Sequence, residues 1–263
     1  MWICRARSPC GSRCDRWSGR SNPRCEGALL KPPVLLITAG PSREPIDDVR
    51  YLSNGASGRM GLAVAQVAAE KGWQVHLALG PVDAQIPAGV IHHPFETARD
   101  LDALTAQLWP QVDAFVATAA VCDYRPHERI PGKKKKAPGD WNLQLVRNPD
   151  ILENRSKDRE DENGPRILVG FALESQAGEE EARRKAVKKN LDLVLCNSPG
   201  NLGVATGDYI WIEPGQPSID LPAISKDLLA VKLMEFIGTH VTPRRGHRAS
   251  MGNDESESQQ AQS

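Results

Sequence analysis

Residues 34–72 read VLLITAGPSREPIDDVRYLSNGASGRMGLAVAQVAAEKG, and this stretch decides the fold. It opens with the apolar run VLLIT (34–38), which is typical of a strand buried on both faces of a sheet. It closes with a segment that places Met60, Val64, Val67 and Ala68 on one helical face, and Gly72 follows as a helix stop. A buried strand, a polar glycine-rich loop and an amphipathic helix in this order predict the first unit of an α/β domain.

The same alternation continues along the chain. Further strands are predicted at 73–80, 113–120, 166–174 and 191–197, with a more alternating edge strand at 207–214. Helices are predicted at 97–109, 148–156, 176–190 and 225–241, the last with Ser225 as its N-cap. The predicted fold class is therefore α/β, a Rossmann-like parallel sheet with helices on both faces. Residues 121–147 are too polar and proline-rich for a core element, so they are predicted to form a long excursion carrying one hairpin.

Composition excludes some classes of protein. The formal net charge is zero, from 33 basic and 33 acidic residues, which argues against nucleic acid as a partner. No apolar run approaches the roughly 20 residues that a membrane span needs. Four of the six cysteines lie in the first 25 residues, and a body with few cysteines fits a cytoplasmic location.

Both ends of the chain are predicted to lie outside the folded domain. Residues 1–32 lack periodicity and are interpreted as a disordered extension, with a transit peptide as the rival interpretation. Residues 242–263 are interpreted as a disordered polar tail. The domain is then expected to occupy residues 33–241.

Two polar clusters follow predicted strands, where ligands bind in doubly wound sheets. The first runs from Gly40 to Gly61 and ends at a helix N-terminus, which favours anions, although such a loop can equally serve only to make the turn. The second is ATAAVCDYRP (117–126), in which Asp123 can bind a metal ion or a ribose hydroxyl, or cap the turn before Pro126. Neither cluster contains a common phosphate-binding signature.

A third cluster is the run of four lysines at 133–136 within the excursion. It can be a solvated basic loop or a nucleic-acid-binding run. Gly132 and Pro138 flank it, which favours a mobile flap, and a lysine on a flap can offset the charge of a polyphosphate.

Taken together, the motifs closely resemble those of phosphopantothenate–cysteine ligase of the bacterial, CTP-dependent type. The motifs are ITAGPSREPIDDVRYLSNGASGRMG (37–61), ATAAVCDYRP (117–126), KKKK (133–136), LVRNPDIL (145–152) and VGFALES (169–175). The resemblance covers roughly residues 33–240. It implies a Rossmann-like ligase with a flap and dimerisation excursion, which joins 4'-phosphopantothenate to L-cysteine in coenzyme A biosynthesis. CTP would be converted to CMP and pyrophosphate through an acyl-cytidylate.

The resemblance also implies roles for individual residues. Asn54 would hold the reacting carboxylate, Arg50 would support the same intermediate, and Lys133 would be the flap lysine that contacts the triphosphate. The implied substrate-binding residues are Gly40, Asn54 and Ala120. The implied nucleotide-binding residues are Ala117, Thr118, Ala119, Asp123, Lys133, Pro149, Asp150, Ile151, Phe171, Lys185 and Lys189. No metal ligand is assigned.

Cofactors and partners follow from the same resemblance. It implies Mg²⁺ or Mn²⁺, CTP as co-substrate and a homodimer. No FMN is expected, because residues 1–32 show none of the flavin-dependent decarboxylase half that fused relatives carry, and a separate decarboxylase is then a further partner. An ATP-using version of the same ligase and a Rossmann-like oxidoreductase remain the alternatives.

Overall fold

The computed structural model describes residues 31–160, 167–174, 178–201 and 204–241. The predicted disordered extension and tail lie outside these ranges, apart from residues 31 and 32. Within the described residues, the strands are β1 Val34–Ala39, β2 Arg43–Pro45, β3 Tyr51–Ser53, β4 Gln74–Leu79, β5 Val90–Pro94, β6 Ala114–Ala117, β7 Tyr124–Pro126, β8 Leu145–Arg147, β9 Ile167–Leu173, β10 Leu193–Asn197, β11 Thr206–Ile212 and β12 Ile219–Ser225. The α-helices are α1 Arg59–Glu70, α2 Ala98–Leu108, α3 Ile151–Lys157, α4 Gly178–Lys188 and α5 Lys226–His240.

Eight of the described strands form one large sheet with the order β12-β11-β10-β9-β6-β1-β4-β5. The pairs from β5 to β10 are parallel, and β11 and β12 join antiparallel at one end. The predicted Rossmann-like α/β fold is confirmed. The two edge strands β5 and β12 were not predicted, and the prediction of an edge strand at 207–214 is wrong because β12 lies beyond β11.

Helices cover both faces of the sheet. On one face, α1 and α5 bury Val64, Ala68, Leu233 and other apolar side chains against β1, β4 and β10. On the other face, α2 and α4 pack against β6, β9 and β10 around Phe115 and Leu168. Because the central strands are buried on both faces, they need the unbroken apolar runs from which they were predicted.

The helix boundaries follow their local sequence. Gly58 is the N-cap of α1 with φ of 72°, a left-handed conformation that glycine adopts without a steric cost. Ser225 caps α5 as predicted, with its hydroxyl accepting from the backbone N–H of Leu228 at 3.2 Å. Thr97 and Asp100 form a reciprocal capping box at the start of α2. In the described part of the chain, no helix is long and apolar enough to cross a bilayer.

Two hairpins stand apart from the large sheet. One pairs β2 with β3, and the other pairs β7 with β8 and is the hairpin predicted in the excursion. The sequence predicts a mobile flap at the lysine run flanked by Gly132 and Pro138, whereas the structure anchors the residues that lead into this run to the turn between β2 and β3. The N–H of Ile130 donates to the carbonyl of Ile46 at 2.9 Å, and the N–H of Asp48 donates to the carbonyl of Gly132 at 3.2 Å.

A histidine pair at the β4–β5 edge makes stability depend on pH. His76 Nδ1 lies 2.9 Å from His93 Nε2, and the two rings stack. Burial, and then the neighbouring His93, lower the pKa of His76; burial and then His92 lower the pKa of His93. The unfolded chain therefore takes up protons at a higher pH than the folded protein does.

We expect acid to destabilise the protein through this pair. Below about pH 6.5 the unfolded state binds more protons, so the free energy of unfolding falls, by up to about 1.4 kcal/mol per pH unit for each extra proton. His76→Gln with His93→Gln should flatten the decline measured by urea unfolding between about pH 7.5 and about pH 5.5. His127→Gln on the exposed excursion is the control, and an equal flattening there would contradict the assignment.

Candidate active site

The carboxyl ends of β1, β6, β9 and β10 meet at one edge of the sheet, beside the N-terminus of α1, and a cleft of about 160 Å³ opens there. The lining residues are Ala56, Ser57, Gly58, Arg59, Met60, Thr118, Ala119, Ala120, Phe171, Leu173, Asn197, Asn201, Tyr209 and Lys226. Four of the predicted site residues, Thr118, Ala119, Ala120 and Phe171, therefore share one cleft. Ala117 is the last residue of β6 and leads directly into it.

The predicted substrate-binding residues lie together next to this cleft. The N–H of Ala120 donates to the carbonyl of Gly40 at 2.9 Å. The Asn54 amide Nδ2 donates to the carbonyl of Ala120 at 3.0 Å. This bond fixes the orientation of an otherwise exposed Asn54 side chain and leaves the second N–H of Nδ2 to donate to another partner.

The loop reaches this position because glycines allow close backbone approach. Gly40 has φ of 76°, and a Cβ on it would lie 3.2 Å from the backbone nitrogen of Gly80. Gly61, in the first turn of α1, packs directly on the end of β1. The hydroxyl of Thr118 donates to the carbonyl of Thr38 at 2.7 Å, so the ends of β1 and β6 are joined beneath the helix.

Gly61→Ala should destabilise the protein. The new Cβ would lie 2.4 Å from the Cβ of Ala39 and 2.7 Å from Thr118 Oγ1, so α1 or the cleft floor must move. We expect the free energy of unfolding to fall by about 1–3 kcal/mol in urea titrations. Gly238→Ala in α5 is the matched control, because its Cβ meets nothing within 4 Å and should stabilise by roughly 0.5–1 kcal/mol. Equal effects of both substitutions would contradict the close approach.

The cleft carries positive charge from Arg59 and Lys226, which both line it. Burial, and then the nearby Arg59, lower the pKa of Lys226, whose ammonium donates to the carbonyls of Asn201 and Val204. Burial raises the pKa of Tyr209 on the same wall. Together with the α1 N-terminus, these cations make the cleft suited to an anionic ligand.

A second group of predicted residues forms ion pairs beside the cleft rather than in it. Lys189 Nζ lies 2.6 Å from Asp150 Oδ2, and Lys185 Nζ lies 2.6 Å from Glu174 Oε1. Burial of the Asp150 carboxyl opposes its ionisation, but the hydrogen bonds from Lys189 and from the N–H of Glu153 prevail and lower its pKa. Asp150 is also the N-cap of α3. Lys185 is therefore held near the end of β9, and Lys189 is held at the start of α3.

The segment around Pro149 connects these pairs to Asp123. The N–H of Asn148 donates to the carbonyl of Asp123 at 2.8 Å, and the carboxyl group of Asp123 is exposed. Ile151 is buried in a small core cluster against which Ala119 packs, so its side chain supports the cleft floor from behind.

The predicted catalytic cations form a third group. Arg50 pairs with the buried carboxylate of Asp47 and donates to the carbonyl of Lys134 at 2.9 Å. Lys133 is exposed on the neighbouring segment and does not line the cleft. The described structure thus places Asn54 beside the cleft and joins Arg50 to the Lys133 segment, as two adjacent units.

Sequence reasoning missed several residues of the site. It named neither Asp47 nor the cleft residues Arg59, Asn201, Tyr209 and Lys226. Tyr209 pairs in register with Asn197 at the end of β10, and that register depends on the antiparallel β11. Placing β11 against β10 in advance is the signal that would have found Tyr209.

The fold and the cleft define a Rossmann-like domain with a cationic cleft at the carboxyl ends of its strands. Residues 30–240 match the model of the DNA/pantothenate metabolism flavoprotein C-terminal domain family. The chain is 41% identical over 218 residues to the coenzyme A biosynthesis bifunctional protein CoaBC of Escherichia coli (strain K12), covering 80% of this chain and 52% of that protein. It is 40% identical over 211 residues to the protein of the same name from Vibrio cholerae serotype O1 (strain ATCC 39315 / El Tor Inaba N16961), covering 77% and 51%.

A solved structure agrees with these sequence matches. The crystal structure of the C-terminal domain of a coenzyme A biosynthesis bifunctional protein CoaBC is similar with a TM-score of 0.67 and 32% identity, covering 81% of this chain and 97% of that chain. The chain belongs to the DNA/pantothenate metabolism flavoprotein C-terminal domain family, and the resemblance seen in its motifs is confirmed at that level. It spans about half the length of the bifunctional relatives.

Proposed function

We propose that this chain is a phosphopantothenate–cysteine ligase that uses CTP. The observation that carries the proposal is the convergence of Asn54, Gly40 and Ala120 at the mouth of a cationic cleft. The similarity to proteins named for coenzyme A biosynthesis supports it.

The proposed chemistry has two steps. A carboxylate oxygen of 4'-phosphopantothenate attacks the α-phosphorus of CTP, and the bond from that phosphorus to pyrophosphate breaks. The amine of L-cysteine then attacks the acyl carbon of the acyl-cytidylate, CMP leaves with the bridging oxygen, and the amine loses a proton. The Asn54 side chain would orient the carboxylate, while Arg50 and Lys133 would offset the negative charge that develops on the phosphates.

The nucleotide would occupy the cleft between Phe171 and the excursion. Its phosphates would lie toward the N-terminus of α1, where backbone N–H groups favour anions. Thr118 and Ala119 would line it through small side chains and backbone groups. The paired residues Asp150 and Lys189 would contact its sugar or base from the other side.

A divalent cation belongs to the same proposal. Mg²⁺ is usually bound by one or two carboxylates together with substrate phosphates, and the exposed carboxylate of Asp123 can supply one such ligand. The cation would neutralise phosphate charge when bound.

Homodimerisation is also proposed, through the two hairpins outside the sheet. They carry exposed apolar side chains, namely Val49, Tyr51, Tyr124 and Leu145. Exposed apolar patches on soluble proteins commonly mark protein contacts. Sedimentation equilibrium tests this: a dimer that Tyr51→Lys with Tyr124→Lys converts to a monomer supports the proposal, and a wild-type monomer at micromolar concentration contradicts it.

The deciding experiment for the activity is pyrophosphate release by the purified chain with magnesium, 4'-phosphopantothenate and L-cysteine. Release with CTP that depends on phosphopantothenate, together with CMP formation, would support the proposal. Release with ATP instead would support the ligase activity and contradict the proposal that the nucleotide is CTP. No release with either nucleotide from folded protein would overturn the ligase.

A further inference from the structure

Asp47 is a buried carboxylate that the proposed chemistry does not use. It lies in the turn between β2 and β3 and is 2% exposed. It accepts hydrogen bonds from the backbone N–H groups of Val49 at 2.9 Å, Arg50 at 2.8 Å and Lys134 at 3.2 Å. The Arg50 guanidinium adds a two-pronged contact, with Nε at 3.0 Å from Oδ2 and its second nitrogen on the same oxygen. One buried side chain thus gathers groups from two segments that lie 87 residues apart.

The carboxylate stays ionised in this setting. The hydrogen bond from Arg50 holds the pKa of Asp47 well below its usual range; burial opposes this, and the three backbone N–H groups add to it. Buried charged groups persist only where partners replace the lost water, and here donors surround both oxygens. Two of those donors, the N–H groups of Val49 and Arg50, would suffice to form the turn. The contacts to the guanidinium and to Lys134 exceed what the turn requires.

These extra contacts join the turn at residues 46–50, here called the Arg50 turn, to the lysine run at 133–136. Arg50 donates to the carbonyl of Lys134 at 2.9 Å, while the N–H of the same residue donates to Asp47. The Trp141 ring covers this junction, 5.1 Å from Arg50 Cζ and 5.1 Å from Lys134 Nζ. The carbonyl of Gly132 accepts from the N–H of Asp48. Lys133 therefore lies between two residues that are both bonded to the Arg50 turn.

We propose that Asp47 is a positioning residue that holds Arg50 and the backbone of Lys133 as one unit for the phosphates of the bound nucleotide. This inference rests on the proposed ligase function and adds to it. Two long cationic side chains on independent loops would each lose rotational freedom when a phosphate binds. A shared carboxylate removes part of that cost before the substrate arrives, and pre-orientation of catalytic groups raises the rate of the chemical step.

The first test is hydrogen–deuterium exchange of the whole chain. Asp47→Asn keeps the size of the side chain and removes its charge, so exchange at residues 46–50 and 129–136 should rise by about tenfold or more, while the strands of the large sheet stay unchanged. Asp48→Asn is the matched control, because the side chain of Asp48 forms an exposed pair with Arg129, and its loss should change exchange less than about fivefold.

A second variant removes the other partner of the hydrogen bond between Asp47 and Lys134. Lys134→Pro removes the N–H that Asp47 accepts and leaves the Asp47–Arg50 pair in place. It should loosen residues 129–136 as Asp47→Asn does, whereas Lys136→Pro in the same exposed run should not. If Asp47→Asn lowers overall stability, Lys134→Pro still tests whether the bond to Asp47 anchors the lysine run.

The kinetic test separates positioning from a general structural role. Asp47→Asn should lower kcat for pyrophosphate release by about tenfold or more with KM for phosphopantothenate unchanged. The same substitution should cause no further loss in an Arg50→Gln, Lys133→Gln background, because the groups it positions are gone. An equal loss in both backgrounds would overturn the inference, and so would unchanged exchange at residues 129–136 in Asp47→Asn and Lys134→Pro. If wild-type protein releases no pyrophosphate, the ligase proposal has failed, and the exchange experiment alone still decides whether Asp47 holds the two segments together.

Discussion

Asn54→Asp is expected to lower kcat for pyrophosphate release by about 10²–10³-fold, the loss typical of removing one aligned donor that stabilises developing charge. The Asn54 amide donates to the carbonyl of Ala120 at 3.0 Å, and an aspartate at this position turns that bond into a repulsion between two oxygens. It also places a negative charge where the proposed substrate carboxylate and phosphate must approach. The measurement is pyrophosphate release with saturating CTP, with circular dichroism to verify the fold.

The control for Asn54→Asp is Asn142→Asp on the exposed part of the excursion. It makes the same chemical change and alters net charge equally, so it should retain turnover within about twofold, as surface changes usually do. Equal losses in both variants would show an effect of overall charge. Full activity of Asn54→Asp would contradict the assignment of Asn54 to the active site.

The strands and helices that sequence patterns predicted well are those buried in the middle of the sheet. β1, β6, β9 and β10 are apolar except for Thr38 and Asn197 near the carboxyl ends of β1 and β10, as expected for strands that helices cover on both faces. β5 and β12 were missed because edge strands need no such run: β5 contains His92 and His93, and β12 contains Pro222. Proline is tolerated at an edge, where its missing N–H removes no central ladder bond.

Parts of the site could be predicted for the same topological reason. Gly40 and Ala120 follow parallel neighbouring strands, so their meeting follows once the strand order is known. The partners of long charged side chains could not be predicted in this way. Lys189 pairs with Asp150 across 39 residues, and Asp47 accepts from Lys134 across 87 residues. Such contacts depend on where two loops cross, which no local periodicity encodes.

The lysine run at 133–136 shows the same limit. Its four residues are identical, so the sequence of the run does not indicate which lysine contacts the phosphates. The structure separates them by their anchoring. Gly132 and Lys134 are both bonded to the Arg50 turn, whereas Lys136 is exposed beyond the anchored part. The observed hydrogen bonds therefore fix the start of the run, around Lys133, relative to Arg50.

Lys133→Gln should therefore lower kcat for pyrophosphate release by about 10²-fold, while Lys136→Gln stays within about twofold of wild type. The glutamine keeps a similar length and removes the charge that is proposed to offset the developing charge on the phosphates. If Lys133 acts mainly in the transition state, KM for CTP should change much less than kcat. The measurement is a comparison of both variants over a range of CTP concentrations at two ionic strengths. If the lysines act only through the general positive charge of the loop, the two substitutions should have similar effects on kcat, and both effects should shrink with salt because exposed charges are screened. A positioned lysine instead keeps the difference in salt, because its effect depends on where the Arg50 turn holds it.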